Sequence, residues 1–112
     1  MKTNEVLETI KARRSVRAYD RKQIPADDLN AILEAGAYAP NGMHYETWHF
    51  TAVRNTVKLE ELNERIKGAF AKSDDKHLRE RGHSETYCCY YHAPTLVIVS
   101  NEPKQWWAGM EC

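Results

Sequence analysis

Residues 24–53 read IPADDLNAILEAGAYAPNGMHYETWHFTAV, and this stretch decides the fold because it changes from a helical pattern to a strand pattern. Pro25, Asp27 and Asp28 are typical of a helix start, since proline suits the first turn and carboxylates suit the positive end of the helix dipole. An apolar stripe at helical spacing follows: Leu29, Ile32, Leu33 and Gly36. The residue before a proline disfavours helical angles, so the helix is predicted to end before Pro40.

The second half of the same stretch predicts a β-strand from Trp48 to Val53. Its alternation places one set of side chains on a common face: Trp48, Phe50 and Ala52. Asn41 and Gly42 predict a turn or loop between the helix and the strand. The stretch therefore predicts a helix, a loop and a strand, in that order.

Helical spacing returns downstream of this strand. The positions that carry it are Leu59, Leu62, Ile66 and Phe70. Residues 72–85 are highly charged, which is compatible with either a loop or an exposed helix. Residues 95–100 are β-rich and apolar throughout, which favours a strand covered on both faces. Residues 104–112 are typical of a further helix that is only beginning.

Upstream of the stretch, a first helix is predicted with Asn4 as its N-cap. Its apolar positions are Val6, Leu7 and Ile10. The helix is expected to end near Arg13 and Arg14, whose positive charge suits the negative end of the dipole. The whole order predicts an α+β fold with helices around a small sheet. Two strands form a marginal sheet, so further strands or a partner chain are expected to complete it.

The composition limits the classes of function that are expected for the protein. A chain of 112 residues forms one domain at most, and 16 basic against 16 acidic residues give a formal net charge of zero. That balance provides no general attraction for nucleic acid or for an anionic membrane surface, so neither is expected as a partner. The N-terminus is polar and the sequence has no long apolar run, so neither a signal peptide nor a membrane span is expected. Three cysteines do not form a disulfide framework, which favours a cytoplasmic protein.

The first candidate for chemistry is the basic segment Arg13–Arg17, which reads RRSVR. Its guanidinium groups present planar forks of donors that suit phosphate oxygens, and Ser15 adds a short hydroxyl donor. The alternative is a solvated basic turn that only caps the preceding helix. From the residues alone, both interpretations stay open.

The second candidate is the segment from Ala39 to Phe50, which reads APNGMHYETWHF. A Pro-Asn-Gly turn followed by polar and aromatic residues can line a planar ring, and exposed backbone amides can reach ring carbonyls and nitrogens. The alternative is an ordinary connection between a helix and a strand.

Together these segments belong to an ordered set of motifs that resembles the opening of the nitroreductase family. The set begins with Ile10, Arg13, Arg14, Ser15, Val16, Arg17 and Tyr19. It continues with Ile24, Pro25, Leu29, Ile32, Leu33, Ala35, Gly36, Ala39 and Pro40. It ends with Trp48, Phe50, Val53, Leu59, Tyr91, Ala93 and Pro94. The likeness covers nearly the whole chain.

The resemblance implies an α+β, nitroreductase-like fold that works as an intertwined homodimer with FMN at the dimer interface. Residues 1–112 would form a single domain of this kind, truncated at its C-terminus. The positions that match the family's flavin-binding motifs are Arg13, Arg14, Ser15, Arg17, Pro40, Asn41, Gly42, His44 and Glu46. The first four match the motif that contacts the flavin phosphate, ribityl chain and ring edge, and the others match the loop that reaches the flavin of the other subunit.

The activity that the resemblance implies is transfer of hydride from NADH or NADPH to the flavin, followed by reduction of a nitroaromatic, quinone or similar small-molecule acceptor. Because the flavin carries that chemistry, no catalytic side chain is expected. In the second segment, His44 stands where the family usually has Asn, and Glu46 where it usually has Gln. A carboxylate cannot donate the hydrogen bonds of an amide, and it disfavours a reduced, anionic flavin nearby.

Two other interpretations remain open from the sequence. The apparent truncation favours a non-catalytic relative that dimerises with weak or no flavin binding. A small metal- or nucleic-acid-binding module has less support, because the histidines and cysteines between His77 and His92 match no compact zinc spacing. No metal site is therefore predicted.

Overall fold

The computed structural model describes residues 2–40 and 48–101. In chain order its elements are α1 Glu5–Ala12, α2 Ala26–Ala37, β1 Trp48–Val53, α3 Thr56–Ala71, α4 Lys76–His83 and β2 Leu96–Asn101. These elements confirm the predicted order as far as β2. The helix predicted within 104–112 lies outside the described residues.

The first two helices begin and end where the sequence predicts. The Asn4 side chain caps α1 by accepting a hydrogen bond from the Leu7 backbone N–H at 2.9 Å. Arg13 is the C-cap of α1, as the basic pair predicts. In α2, Pro25 is the N-cap and Tyr38 the C-cap, so the helix ends before Pro40.

The charged stretch 72–85 contains the exposed helix that one of the two alternatives predicted, α4. Asp75 caps it by accepting from the Leu78 backbone N–H at 3.1 Å. Helix α4 packs against α3 where Gly82 meets Ala71, and a Cβ built on Gly82 lies only 2.3 Å from the Ala71 nitrogen. The glycine therefore permits the close approach of the two helices.

Strands β1 and β2 pair antiparallel, with Trp48 opposite Asn101 and Val53 opposite Leu96. The strand predicted at 95–100 is therefore shifted by one residue. The prediction that it is covered on both faces is wrong within the described chain, because Ile98 is 39% exposed and Val99 is 42% exposed.

The small core lies at the other end of the sheet. Leu59 on α3, which is 1% exposed, packs with Cys88 and Tyr90 from the loop before β2. Four partly buried side chains surround them: Val53, Cys89, Ala93 and Leu96. Burial of these apolar groups holds α3 and the loop against the sheet. None of the described helices is long and apolar enough to span a membrane.

Helix α2 packs against the outer part of β1. Trp48 and Phe50 are half-buried and meet edge to face, with 6.5 Å between ring centroids. A Cβ built on Gly36 would lie 3.2 Å from the Phe50 ring, so a small residue lets the helix approach the strand. Ala52, which was predicted on the same face, is exposed.

Candidate functional site

The basic segment Arg13–Arg17 lies in the irregular chain between α1 and α2, and all of its side chains are exposed. Arg14 is partly engaged, because its Nη1 donates to the Lys11 and Arg13 carbonyls, each at 2.9 Å. These bonds satisfy carbonyl groups at the end of α1. The capping role that the sequence suggested as an alternative is therefore present in Arg14.

The other polar side chains of the segment have no partner in the described part of the chain. Within residues 2–40 and 48–101, the side chains of Arg13, Ser15 and Arg17 form no hydrogen bond or ion pair. The described ion pairs all lie on α3 and α4. No described carboxylate neutralises the segment, so it keeps its positive charge and most of its donors for an anion from outside.

The end of the segment is held by a local bond. The Tyr19 hydroxyl donates to the Val16 carbonyl at 2.9 Å, which closes a short loop around Arg17. Tyr19 also lines an apolar cavity of about 390 Å³. Other residues of its wall are Ile24, Leu29, Ile32, Tyr91 and Leu96. The aromatic ring therefore connects the basic segment to the body of the molecule.

Beyond Tyr19, the half-buried side chain of Gln23 joins the chain to both strands. Its Nε2 donates to the Pro94 carbonyl at 2.9 Å and to the Arg54 carbonyl at 3.4 Å. Its Oε1 accepts from the Ile24 backbone N–H at 3.1 Å and from the Thr95 hydroxyl. Pro94 and Thr95 precede β2, and Arg54 follows β1. We call this set of four hydrogen bonds the Gln23 clamp.

A second amide anchors the loop before β2. Asn63, buried on α3, donates from Nδ2 to the Tyr87 carbonyl at 3.1 Å and accepts at Oδ1 from the Cys89 backbone N–H at 2.9 Å. Further along, Tyr91 and His92 have positive φ angles of 54° and 56°. Non-glycine residues seldom adopt this left-handed conformation, so the loop is constrained as it turns into β2.

The two adjacent cysteines of this loop pack in or against the small core around Leu59. Burial, and then the neighbouring Cys88, raises the pKa of the Cys89 thiol, and burial also raises the pKa of Tyr90. Cys88 Sγ accepts the His92 backbone N–H at 3.3 Å. In the described part of the chain, no group of three or more His, Cys, Asp or Glu side chains could hold a metal ion.

The second predicted segment is only partly described. Pro40 is exposed and follows the C-cap of α2, and the chain is described again from Trp48 at the start of β1. Asn41, Gly42, His44 and Glu46 lie outside the described residues. The structure therefore brings Arg13, Arg14, Ser15 and Arg17 together in one exposed segment. The roles of the two segments in flavin binding stay predictions.

Sequence reasoning missed Gln23, Arg54 and Asn63. A usable signal existed only for Asn63, a polar residue beside the apolar stripe of α3, where a buried amide needs partners. Gln23 and Arg54 stand in polar surroundings, and nothing in their sequence neighbourhood marks them. Their partners lie 30 to 72 positions away along the chain.

Comparison with known proteins agrees with this architecture. The model of the nitroreductase family matches residues 10–112, and the chain belongs to that family. In structure it is similar to a nitroreductase from Bacteroides fragilis NCTC 9343 solved with bound FMN. The two are 97% identical with a TM-score of 0.94, over 98% of this chain and 59% of that one.

Two more distant relatives support the assignment. A nitroreductase from Desulfitobacterium hafniense DCB-2, also solved with FMN, is 27% identical with a TM-score of 0.83, over 96% of this chain and 57% of that one. A protein from Methanothermobacter thermautotrophicus, whose name gives it as an NADH dehydrogenase/NAD(P)H nitroreductase, is 40% identical over 60 residues. Those residues cover 54% of this chain and 31% of that protein. The α+β, nitroreductase-like fold is thus confirmed, and the chain spans less than two thirds of each of these relatives.

Proposed function

We propose that the protein is an FMN-dependent oxidoreductase of the nitroreductase type and that Arg13, Arg14, Ser15 and Arg17 bind the flavin phosphate. One observation carries the proposal: in a chain of zero net charge, this segment presents free cationic donors with no described acidic partner. Nitroreductases from two bacteria with the same fold were solved with FMN.

The donor set fits a phosphate monoester. Each guanidinium offers a planar fork that accommodates two oxygens, and the Ser15 hydroxyl supplies one more donor. Arg14 donates from Nη1 to the Lys11 and Arg13 carbonyls, which leaves the other N–H groups of its guanidinium for the ligand. Arg13 and Arg17 are free to turn toward it. The side chains thus bind and orient the cofactor.

When bound, FMN supplies the redox chemistry by accepting hydride and passing electrons on. We place NADH or NADPH as the donor, and a nitroaromatic, quinone or similar small molecule as the acceptor. No side chain of the chain is assigned a catalytic step. The protein's part is to hold the flavin and to shape access to it.

The loop that contains Pro40, Asn41, Gly42, His44 and Glu46 is proposed to contact the flavin of the second subunit. A carboxylate at Glu46 accepts hydrogen bonds but donates none when ionised. Its negative charge would also disfavour a reduced, anionic flavin beside it.

A homodimer is the assembly that the surface favours. Val6 is 67% exposed and Ile10 is 65% exposed, and they lie one turn apart on α1. Ile98 and Val99 on β2 add exposed apolar area. A second copy of the chain that covers these residues would remove them from water. We place this dimer in the cytoplasm, with neither nucleic acid nor membrane as a partner.

The proposal is tested by the visible spectrum of the purified chain, recorded before and after addition of FMN and removal of the excess. Retained bands near ~450 nm that bleach with NADH or NADPH are expected. The double variant Arg13→Ala/Arg17→Ala should lose the bands. Arg65→Ala, which removes an exposed arginine of α3, is the matched control and should keep them.

A colourless chain that retains no added FMN contradicts the proposal for these residues. Sedimentation of the same sample then decides between the remaining interpretations. A stable dimer without flavin supports the non-catalytic relative. Equal loss of flavin in the Arg65→Ala control contradicts the assignment of the phosphate to the basic segment.

A further inference from the structure

The basic segment has few hydrogen bonds of its own to the body of the protein. Its side chains are exposed, and its described hydrogen bonds reach only α1 and Val16. The first described hydrogen bonds to the strand ends come from Gln23, six positions after Arg17. Apart from the packing of Tyr19 in its apolar cavity, the orientation of the segment relative to the strands therefore depends on this residue.

The Gln23 amide is completely used. A primary amide has two N–H donors and two acceptor lone pairs, and each has a partner here. Carboxylate, hydroxyl and apolar side chains of similar size cannot supply this combination. The clamp is therefore specific to an amide of this length.

Arg54, which follows β1, also forms hydrogen bonds with residues 23–24. Its Nη2 donates to the Ile24 carbonyl, and its own carbonyl accepts from Gln23. The chain at residues 23–24 is thus fixed to the end of β1 by Arg54 and to the start of β2 through Pro94 and Thr95.

We infer that Gln23 is a positioning residue for the phosphate site, which it serves by fixing the basic segment to β1 and β2 before the ligand arrives. This inference rests on the proposed function. A segment that is already ordered loses less conformational freedom on binding, so preorganisation increases affinity without a new contact. Gln23 is assigned no contact with the ligand itself.

The phosphate group distinguishes the ligands whose binding depends on this positioning. FMN and riboflavin share the isoalloxazine ring and the ribityl chain, and only FMN carries the phosphate. Loosening the basic segment should therefore weaken FMN more than riboflavin, because the phosphate contacts are lost in addition to any contacts with the shared ribityl chain and ring. A general loss of structure would weaken both flavins to the same extent.

The experiment measures the dissociation constants of FMN and riboflavin, by quenching of flavin fluorescence, for the wild-type chain and for Gln23→Met. Methionine keeps the length of the side chain and removes all four hydrogen bonds. We expect FMN to bind about tenfold more weakly, which corresponds to about 1.4 kcal/mol. Riboflavin affinity should fall by a smaller factor.

Asn63→Leu is the matched control, because Asn63 is also an amide that bridges distant backbone groups, but away from the basic segment. It should lower the melting temperature without changing the ratio of the two affinities. Thr95→Val removes one bond of the clamp on the β2 side and should give a smaller, still FMN-selective loss. This second variant keeps the test decisive should Gln23→Met fail to fold.

Equal loss of both flavins in Gln23→Met, or the same selective loss in Asn63→Leu, overturns the inference. If the wild-type chain prefers FMN and Gln23→Met binds FMN as tightly as the wild type does, the role of Gln23 is overturned while the proposed phosphate site stands. A wild-type chain that binds the two flavins equally, or binds neither, overturns the proposed phosphate role along with it.

Discussion

Asn63 Oδ1 lies 2.9 Å from the backbone nitrogen of Cys89, and this hydrogen bond joins the middle of α3 to the loop that leads into β2. The same amide donates to the Tyr87 carbonyl at 3.1 Å. Both bonds form beside the small core around Leu59, where water has little access. One side chain thus fixes the loop at Tyr87 and Cys89, at least five positions before Pro94 and Thr95, the partners of Gln23.

Replacement of Asn63 by leucine should lower the free energy of unfolding by about 3 kcal/mol, because a buried donor and a buried acceptor lose their partner. Urea denaturation measures the change. Asn30→Leu is the control, since Asn30 is exposed on α2, and it should change stability by less than about 0.5 kcal/mol. Equal losses in the two variants would contradict a special role for Asn63.

Two glycines of the α3–α4 pair should respond to alanine in opposite directions. A Cβ on Gly82 would lie 2.3 Å from the Ala71 nitrogen and 2.7 Å from the Lys67 carbonyl, and backbone atoms cannot move aside cheaply. Gly82→Ala should therefore destabilise the protein by about 2 kcal/mol. Gly68 has nothing within 4 Å, so Gly68→Ala should stabilise α3 by about 0.5–1 kcal/mol.

Thermal unfolding of the two variants tests this pair. The melting temperature should fall for Gly82→Ala and rise for Gly68→Ala. A Gly82→Ala chain as stable as the wild type would mean that α4 does not pack on α3 in this way.

The helices and strands could be predicted from the sequence because their signals are local. The N-cap of α1 at Asn4, the proline at the start of α2 and the alternation within β1 each act over a few residues. The covering of β2 could not be predicted in the same way. The apolar run at 96–99 indicates that cover is needed, but it does not say whether this chain supplies that cover.

The candidate site shows the same difference between local signals and long-range contacts. Arg13 to Arg17 are contiguous, so one motif predicts their common exposure and charge. The clamp depends on Gln23 meeting Pro94, 71 positions away, and only the pairing of β1 with β2 brings these residues together. Single polar residues of this kind carry no periodic signal, so the structure is needed to find them.

Cys89 should react slowly with alkylating reagents. Burial and the adjacent Cys88 raise its pKa above the ordinary value of 9.0, so little of the reactive thiolate is present near neutral pH. The rate of its modification by iodoacetamide, followed residue by residue by mass spectrometry, should still be rising above about pH 9. In Cys88→Ser the pKa of Cys89 should fall, and the rate should rise at lower pH.

An unfolded sample in urea provides the reference for that measurement, because burial and the fixed neighbour are then lost. The pH profile of Cys89 should move to lower pH on unfolding. Identical profiles in the folded and unfolded chains would show that the thiol is not buried as the structure has it.

The charge on the basic segment predicts a salt dependence that separates the two flavins. Exposed ion pairs contribute about 0.2–1 kcal/mol each, so contacts of the phosphate with Arg13, Arg14 and Arg17 should together contribute about 1.4 kcal/mol at low salt. The Debye length falls from about 10 Å at 0.1 M to about 3 Å at 1 M, which screens these contacts. FMN should then bind about tenfold more weakly at 1 M salt than at low salt. Riboflavin has no phosphate, and its affinity should stay nearly constant over the same range, as measured by fluorescence quenching in sodium chloride.

Because the chain has zero net charge, a general electrostatic attraction cannot produce this difference. The Arg13→Ala/Arg17→Ala variant should lose most of the salt dependence of FMN binding, whereas Arg65→Ala should keep it. Parallel salt profiles for FMN and riboflavin would mean that the phosphate is bound elsewhere or not at all.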